Sequence, residues 1–323
     1  MTSRKVQAVV PAEQEGKTIA AIVRDAMGAI AWSKARDLVR TGRVRLDDAA
    51  VTDDAQRVRA GQSVVIEPTA PKRTEGVLAQ DAIVHLDGDV VVVRKPAGVI
   101  TVPFEEGDRD TLVDRVRVLL SRIEKARARA SSAPPRRDPM VGVVQRLDKD
   151  TTGLLVFARN MNAKRALEQQ LRVHSVERRY HAIVHGTAHA GTIETDLVQN
   201  RGDGLRGSWG RFRHQPGPPP EDAKHATTHV RLVEKLHGAT LVECRLETGR
   251  QHQIRIHLAE QGNPLVGEPV YIRDFEGKRI EAARPMLHAR VLGFTHPRTG
   301  EKVRFEDDWP DDFAACVERL RAR

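Results

Sequence analysis

Short blocks with a readable period alternate along the chain with polar interruptions. Ile19, Ile22, Val23, Ala26 and Met27 recur at helical spacing and predict an amphipathic helix. A second helix is expected to start near Ser33 as its N-cap, to place Ala35, Leu38 and Val39 on one face, and to stop at Gly42. Val44 to Leu46 and Ser63 to Ile66 read as strands, separated by the turn-rich Asp47-Asp48 and Ala60-Gly61. Val90 to Val93 and Leu154 to Phe157 are unbroken apolar runs, the pattern of strands buried on both faces. Thr151-Thr152-Gly153 turns the chain into the second of these, so Asp148 stands at a strand entrance, where a scaffold can aim a loop carboxylate into a cleft. Arg178 to Gly186 alternates like a half-buried strand, with Tyr180, Ala182 and Val184 sharing a face. Glu247 to His257 begins with a turn, carries an unusual density of hydrogen-bonding side chains and, taken in isolation, is compatible with a decorated edge strand.

The interruptions divide the chain. Residues 67–80 have the Pro, Gly and charge content of a linker, which predicts a small domain over 1–70, a connection over 71–80 and a larger domain over 81–323. Segment 115–137 carries eight Lys or Arg against one acid, Glu124, and is expected to be a basic helix ending in a flexible loop. Residues 200–222, rich in Gly, Arg and Pro, are expected to form a second mobile loop.

Charge turns this outline toward a partner. Among 323 residues, 53 Lys and Arg oppose 44 Asp and Glu, a net charge of +9 that favours polyanions. With 40% hydrophobic residues the chain can build a core and is not a disordered polyelectrolyte. Only 4% are aromatic, too few to grip single strands on rows of stacked rings, so cations must do most of the gripping. Cys244 and Cys316 form no Cys-x-x-Cys pattern, which argues against a disulfide framework or a thiolate zinc site and fits a reducing cytosol. His252 and His257, five apart, are poorly spaced for shared metal ligation. The N-terminus has no apolar signal core and no apolar run approaches the ~18 residues of a membrane span. A cytoplasmic monomer without membrane contact is expected.

Residues 32–67 resemble the S4-like RNA-binding domain. Ser33, Gly42, Arg43, Val44, Gly61 and Val64 occupy that family's pattern positions, while Asp47-Asp48 replaces its usual Asn-Gly hairpin. The resemblance implies RNA binding, with Lys34, Arg36, Arg40 and Arg43 contacting phosphates. Residues 80–310 resemble the RluA-type pseudouridine synthases. The motifs are Lys95-Pro96, the stretch Gln145 to Gly153, the Arg178-x-Tyr180-x-Ala182-x-Val184-x-Gly186 strand, and Thr248-Gly249-Arg250-x-His252-Gln253-Ile254-Arg255-x-His257. Gly262 to Gly267 and Leu287-His288-Ala289 extend the match. Gln145 departs from the family's His and Thr152 from its Ser.

That resemblance implies an α+β fold with a mixed, mainly antiparallel central sheet and flanking helices, preceded by a small α/β S4-like domain. It also implies an isomerase of uridine in RNA that needs no metal or other cofactor. Asp148 corresponds to the catalytic aspartate, Tyr180 to the tyrosine against the target base, Arg255 to the basic partner of the aspartate, and Arg146 to the arginine that fills the space of the flipped nucleotide. Arg250, His252 and Gln253 are expected to contact RNA. The reaction breaks the bond from the ribose to nitrogen 1, turns the base over and rejoins it through carbon 5, and a carboxylate can act there as nucleophile or as base. A guanidinium beside it favours the ionised form and fixes its direction. Large-subunit ribosomal RNA is the expected substrate, with transfer RNA as the alternative. A non-catalytic RNA assembly factor would have lost Asp148, Tyr180 or Arg255, and a glycosidase pairing Asp148 with Asp150 lacks the surrounding pattern.

Overall fold

A computed structural model describes residues 5–47, 49–51, 54–68, 78–104, 108, 110–131, 139–212 and 217–322. Asp48, residues 71–77 of the expected linker, 132–137 of the basic segment and 213–216 of the Gly/Pro-rich loop lie outside the described residues. The chain divides into two compact units, Met1–Val77 and Leu78–Arg323.

In the first unit, β1 (Val6–Val9), α1 (Ile19–Ala26), α2 (Trp32–Arg40), β2 (Val44–Leu46), β3 (Ala49–Val51) and β4 (Ser63–Ile66) build a four-stranded sheet, ordered β1-β4-β2-β3, with two helices. Ile19, Ile22, Val23, Ala35, Leu38 and Val39 join Val44, Val64 and Ile66 in one core, as the helical spacing requires. Helix α2 starts a residue before the expected cap: Ala31 is the N-cap and Ser33 lies in the first turn. Its C-terminus does close on Gly42, at φ 68, where Gly42 N–H donates to Val39 O and Arg43 N–H to Leu38 O, a Schellman arrangement.

The second unit contains β5 (Ile83–Leu86), β6 (Val90–Lys95), α3 (Leu112–Ser131), β7 (Gly142–Val143), β8 (Thr152–Ala158), α4 (Met161–Arg172), β9 (Glu177–His185), β10 (Gly191–Val198), β11 (Gly207–Ser208), β12 (Lys224–Leu236), β13 (Ala239–Leu246), α5 (Gln253–Glu260), β14 (Leu287–Thr295), β15 (Lys302–Glu306) and α6 (Asp311–Arg321). They form an 11-stranded sheet ordered β11-β10-β12-β13-β9-β14-β8-β6-β5, with β15 on β14 and β7 on β8. Pairing is antiparallel except between β14 and β8, so this is the mixed, mainly antiparallel sheet expected. The apolar runs explain themselves here. Val91, Val93, Leu155 and Phe157 pack under α3, whereas Val90, Val92, Leu154 and Val156 pack under α4, so both faces of these strands are core. Strand β9 is likewise covered on both faces rather than half-buried, with Ile183 packed on α6 and Tyr180, Ala182 and Val184 on the opposite side.

Two expectations change. Glu247 to His257 is not a strand: a turn leads into α5 at Gln253. The 200–222 segment is tied down in part, because Arg201 is buried against Asp203 and Asp274, and Ser208 hydrogen bonds Glu260. No helix among the described residues is long and apolar enough to cross a membrane.

Candidate active site

Asp148 projects from the loop between β7 and β8, where each carbonyl from Leu147 to Thr151 accepts a hydrogen bond. Thr101 Oγ1 donates to Leu147 O at 2.8 Å, Thr151 N–H to Asp148 O at 3.2 Å, and Arg284 Nη1 to Asp150 O at 3.1 Å. Lys95, only 1% exposed, donates from Nζ to Lys149 O at 2.6 Å, Thr151 O at 2.9 Å and Pro96 O at 3.0 Å. Burial pushes the Lys95 ammonium down to about 7, while Asp150 and Asp148 pull it back up. Three carbonyl acceptors also require three N–H donors, which only the charged form offers. Lys95 thus serves to set the Asp148 loop.

The loop opens on a cleft of about 620 Å³ lined by Arg146, Asp148, Arg178, Tyr180, Arg250, His252 and Arg255, among others. Asp148 also borders an adjoining cleft of about 230 Å³ behind Ile100–Phe104. Strand β9, paired with β13 through Cys244 and with β14 through Ala289, presents Tyr180 to the larger cleft with 8% exposure. Burial raises the Tyr180 phenol above its usual value, and Arg178 opposes that rise. Helix α5 delivers Arg255: its Nη1 lies 3.8 Å from Asp148 Oδ2. The turn before α5 sets His252 at φ 58, with Nε2 3.9 Å from Asp148 Oδ1 and Nδ1 sharing a 2.8 Å hydrogen bond with Tyr271 Oη. Burial lowers the His252 pKa, with Asp148 acting in the other direction.

Arg255 has a closer acid than Asp148. Its Nε and Nη2 donate to Glu268 at 2.8 and 2.6 Å, and Glu268 also accepts from the N–H groups of Val270 and Tyr271. The Tyr271 ring lies 5.3 Å from the Arg255 guanidinium carbon. Sequence reasoning missed Glu268 and Tyr271. The one available signal was scarcity, since the chain has two tyrosines and both stand at this site.

The expected RNA-contacting residues fare differently. Arg146 is exposed at the rim and Arg250 is exposed, with Nε on His225 O at 2.9 Å. Gln253 corrects the expectation of direct RNA contact. It is 2% exposed, its carbonyl accepts from Thr248 Oγ1 and Arg250 N–H, and its amide donates to Thr227 O and Thr228 Oγ1. Every bond that an amide side chain readily makes is used internally, so Gln253 braces the turn. In the first unit, Lys34, Arg36 and Arg40 are exposed, the two arginines sharing Asp54 at 3.6 and 3.2 Å, and Arg43 is half-buried.

Among the described residues, one group could offer three metal-ligand atoms within 4.8 Å: His85, Asp87 and His296. It is not in the cleft. Both rings hydrogen bond Asp87 Oδ2, at 2.6 and 2.9 Å, and Asp87 Oδ1 accepts the N–H groups of Asp89 and Val90. Burial works against the Asp87 charge, but these donors hold its carboxyl far below the usual range, and the group reads as a staple between two turns.

A family model described as RNA pseudouridylate synthase matches residues 89–260. The chain belongs to the RNA pseudouridylate synthase family. Its enzyme class is therefore isomerase, and its substrate is RNA. The uncharacterized RNA pseudouridine synthase YlyB of Bacillus subtilis is 36% identical over 297 residues, 90% of each chain. Ribosomal large subunit pseudouridine synthase D of Pseudomonas aeruginosa is 33% identical over 328 residues, covering 97% of this chain and 95% of that one. The human protein RNA Pseudouridylate Synthase Domain Containing 4 shares the synthase fold, with a TM-score of 0.57 at 22% identity over 75% of this chain and 93% of that one.

Proposed function

We propose that this synthase converts uridine to pseudouridine in large-subunit ribosomal RNA, in the cytoplasm, with Asp148 acting at the ribose of a flipped nucleotide. The observation that carries the reading is one cleft holding the Asp148 carboxylate, the Arg255 guanidinium 3.8 Å away and the Tyr180 ring in the wall. Arg255 lies beside the carboxylate, and the bonded loop backbone aims it without rearrangement. Tyr180 covers the base and stands ready for the proton of carbon 5, while Arg146 at the rim fills the gap left in the RNA stack. Relatives named for the large ribosomal subunit support the choice of RNA. The first unit docks the RNA as an S4-like module through Lys34, Arg36, Arg40 and Arg43.

Pseudouridine mapping of total RNA from a strain lacking the gene, complemented with wild type or Asp148→Ala, tests this. Wild type is expected to restore one or more large-subunit positions and Asp148→Ala none. Restoration by the mutant would remove Asp148 from the chemistry. Restoration only in transfer RNA would replace the substrate.

A further inference from the structure

Among the described residues, Arg178, Arg201, Arg255 and Arg284 are buried. Three have a carboxylate against them, Arg201 on Asp203 and Asp274, Arg255 on Glu268, and Arg284 on Asp312, all at 2.6 to 3.1 Å. Arg178, 7% exposed, has no carboxylate at ion-pair distance among the described residues. Its Nη2 donates to Glu247 O at 2.6 Å, and its Nε has no partner. The Glu247 carboxylate is turned elsewhere, onto His229 at 2.6 Å. A buried cation left with one carbonyl is an expensive arrangement in a finished core and a sensible one in a site awaiting an anion.

The surroundings are built around this guanidinium. Arg178 lines the same cleft as Asp148 and Tyr180, two residues from Tyr180 on β9. A Cβ at position 249 would stand 2.6 Å from Arg178 Nη1, so a side chain there would push the guanidinium out of its place. The next residue, Arg250, lines the same wall and adds a second positive charge. Uracil is neutral and offers a cation only its two carbonyl oxygens, but a nucleotide entering the cleft brings its phosphodiesters with it.

We propose that Arg178, kept in place by Gly249 and seconded by Arg250, receives an RNA backbone phosphate next to the flipped uridine. This rests on the reading of the cleft as the uridine site. A phosphate there would anchor the nucleotide while its base turns over, leaving Asp148 and Tyr180 free for the reacting atoms.

The experiment uses the full-length enzyme and an unmodified large-subunit ribosomal RNA transcript, with binding and turnover measured between 50 and 300 mM salt. Arg178→Gln is expected to raise Kd and KM by about tenfold or more with kcat within about threefold, as for loss of a charged hydrogen bond. The slope of log affinity against log salt should shrink by about 0.7 to 0.9, the contribution of one phosphate. Arg178→Lys should keep the slope. Gly249→Ala, which displaces the guanidinium without deleting it, should reproduce the Arg178→Gln loss and serves in its place if that variant fails to fold, as judged by thermal melting. An unchanged salt slope in a folded Arg178→Gln or Gly249→Ala protein, or an equal loss in kcat, would overturn the proposal. Wild-type enzyme leaving the transcript unmodified would instead overturn the substrate reading, and the binding measurements would still decide Arg178.

Discussion

Glu268 binds the Arg255 guanidinium in the interior and so controls how much of it faces Asp148. Its side chain is fully buried; burial works against its charge, but Arg255 and the N–H groups of Val270 and Tyr271 hold its pKa below the usual carboxylate range. Replacing either partner alone leaves the other charge stranded, so Arg255→Ala and Glu268→Ala should each cost about 3–5 kcal/mol in urea unfolding. An apolar pair, Arg255→Met with Glu268→Leu, should recover most of that stability and no pseudouridine formation. A double variant that regained turnover would make Arg255 structural only, and single variants costing under about 1 kcal/mol would dissolve the buried pair. The contrast also marks what could be read beforehand. Asp148, Tyr180 and Arg255 each sit in a string whose neighbours carry chemistry, and the structure brings all three to one cleft. Glu268 and Tyr271 follow an ordinary turn, and only the path of the chain after α5 returns them to Arg255.

At the level of elements, legibility depended on whether burial was one-sided. Helices α1 and α2 bury one stripe each and were visible from spacing, and β6 and β8 were visible as unbroken apolar runs. Helix α5 has Gln253 through Leu258 all buried, with Gln253 and His257 satisfied inside by Thr227, Thr228 and Thr195. Polar residues inside a fully covered helix erase its period, and the segment passed for a strand. The motif glycine at the other end of the site has a plainer reason. Gly153 has φ 109, and a Cβ there would stand 2.3 Å from Ala289 O, at the parallel junction of the large sheet, between β8 and β14. Gly153→Ala must therefore part those strands or shift the Asp148 loop that feeds β8. We expect a loss of about 3 kcal/mol or more, read by urea unfolding, with activity falling further than stability explains. A variant of wild-type stability and turnover would show that the junction gives way freely.

Across the whole molecule, ionisable groups are divided unevenly between the two units. All 13 histidines lie in the second; the first has none. Burial lowers the pKa of His181, on β9, to about 4, helped by Arg290, and that of His257, on α5, to about 4. His288, on β14, also falls to about 4 through burial, partly opposed by a hydrogen bond at Asp307. A histidine neutral in the fold and ordinary when unfolded binds its proton more readily in the unfolded chain between about pH 6.5 and 4. The stability it contributes is whole above about 6.5 and is lost as pH falls through that window, by about 3 kcal/mol for a well-buried ring. Three such rings, on β9, α5 and β14, act together against a total of ordinary size. Asp87 and Glu268, with lowered pKa values, add losses of the same sign below about pH 4. The second unit should accordingly lose its urea midpoint steeply from pH 7 to pH 5, while the first stays nearly flat over that range. Acid should thereby pull the unfolding of the second unit away from that of the first. His257→Gln, which offers Thr228 and Thr195 an amide without the titration, should flatten part of the slope; a wild-type midpoint constant from pH 7 to 5 would mean that these rings are not held neutral.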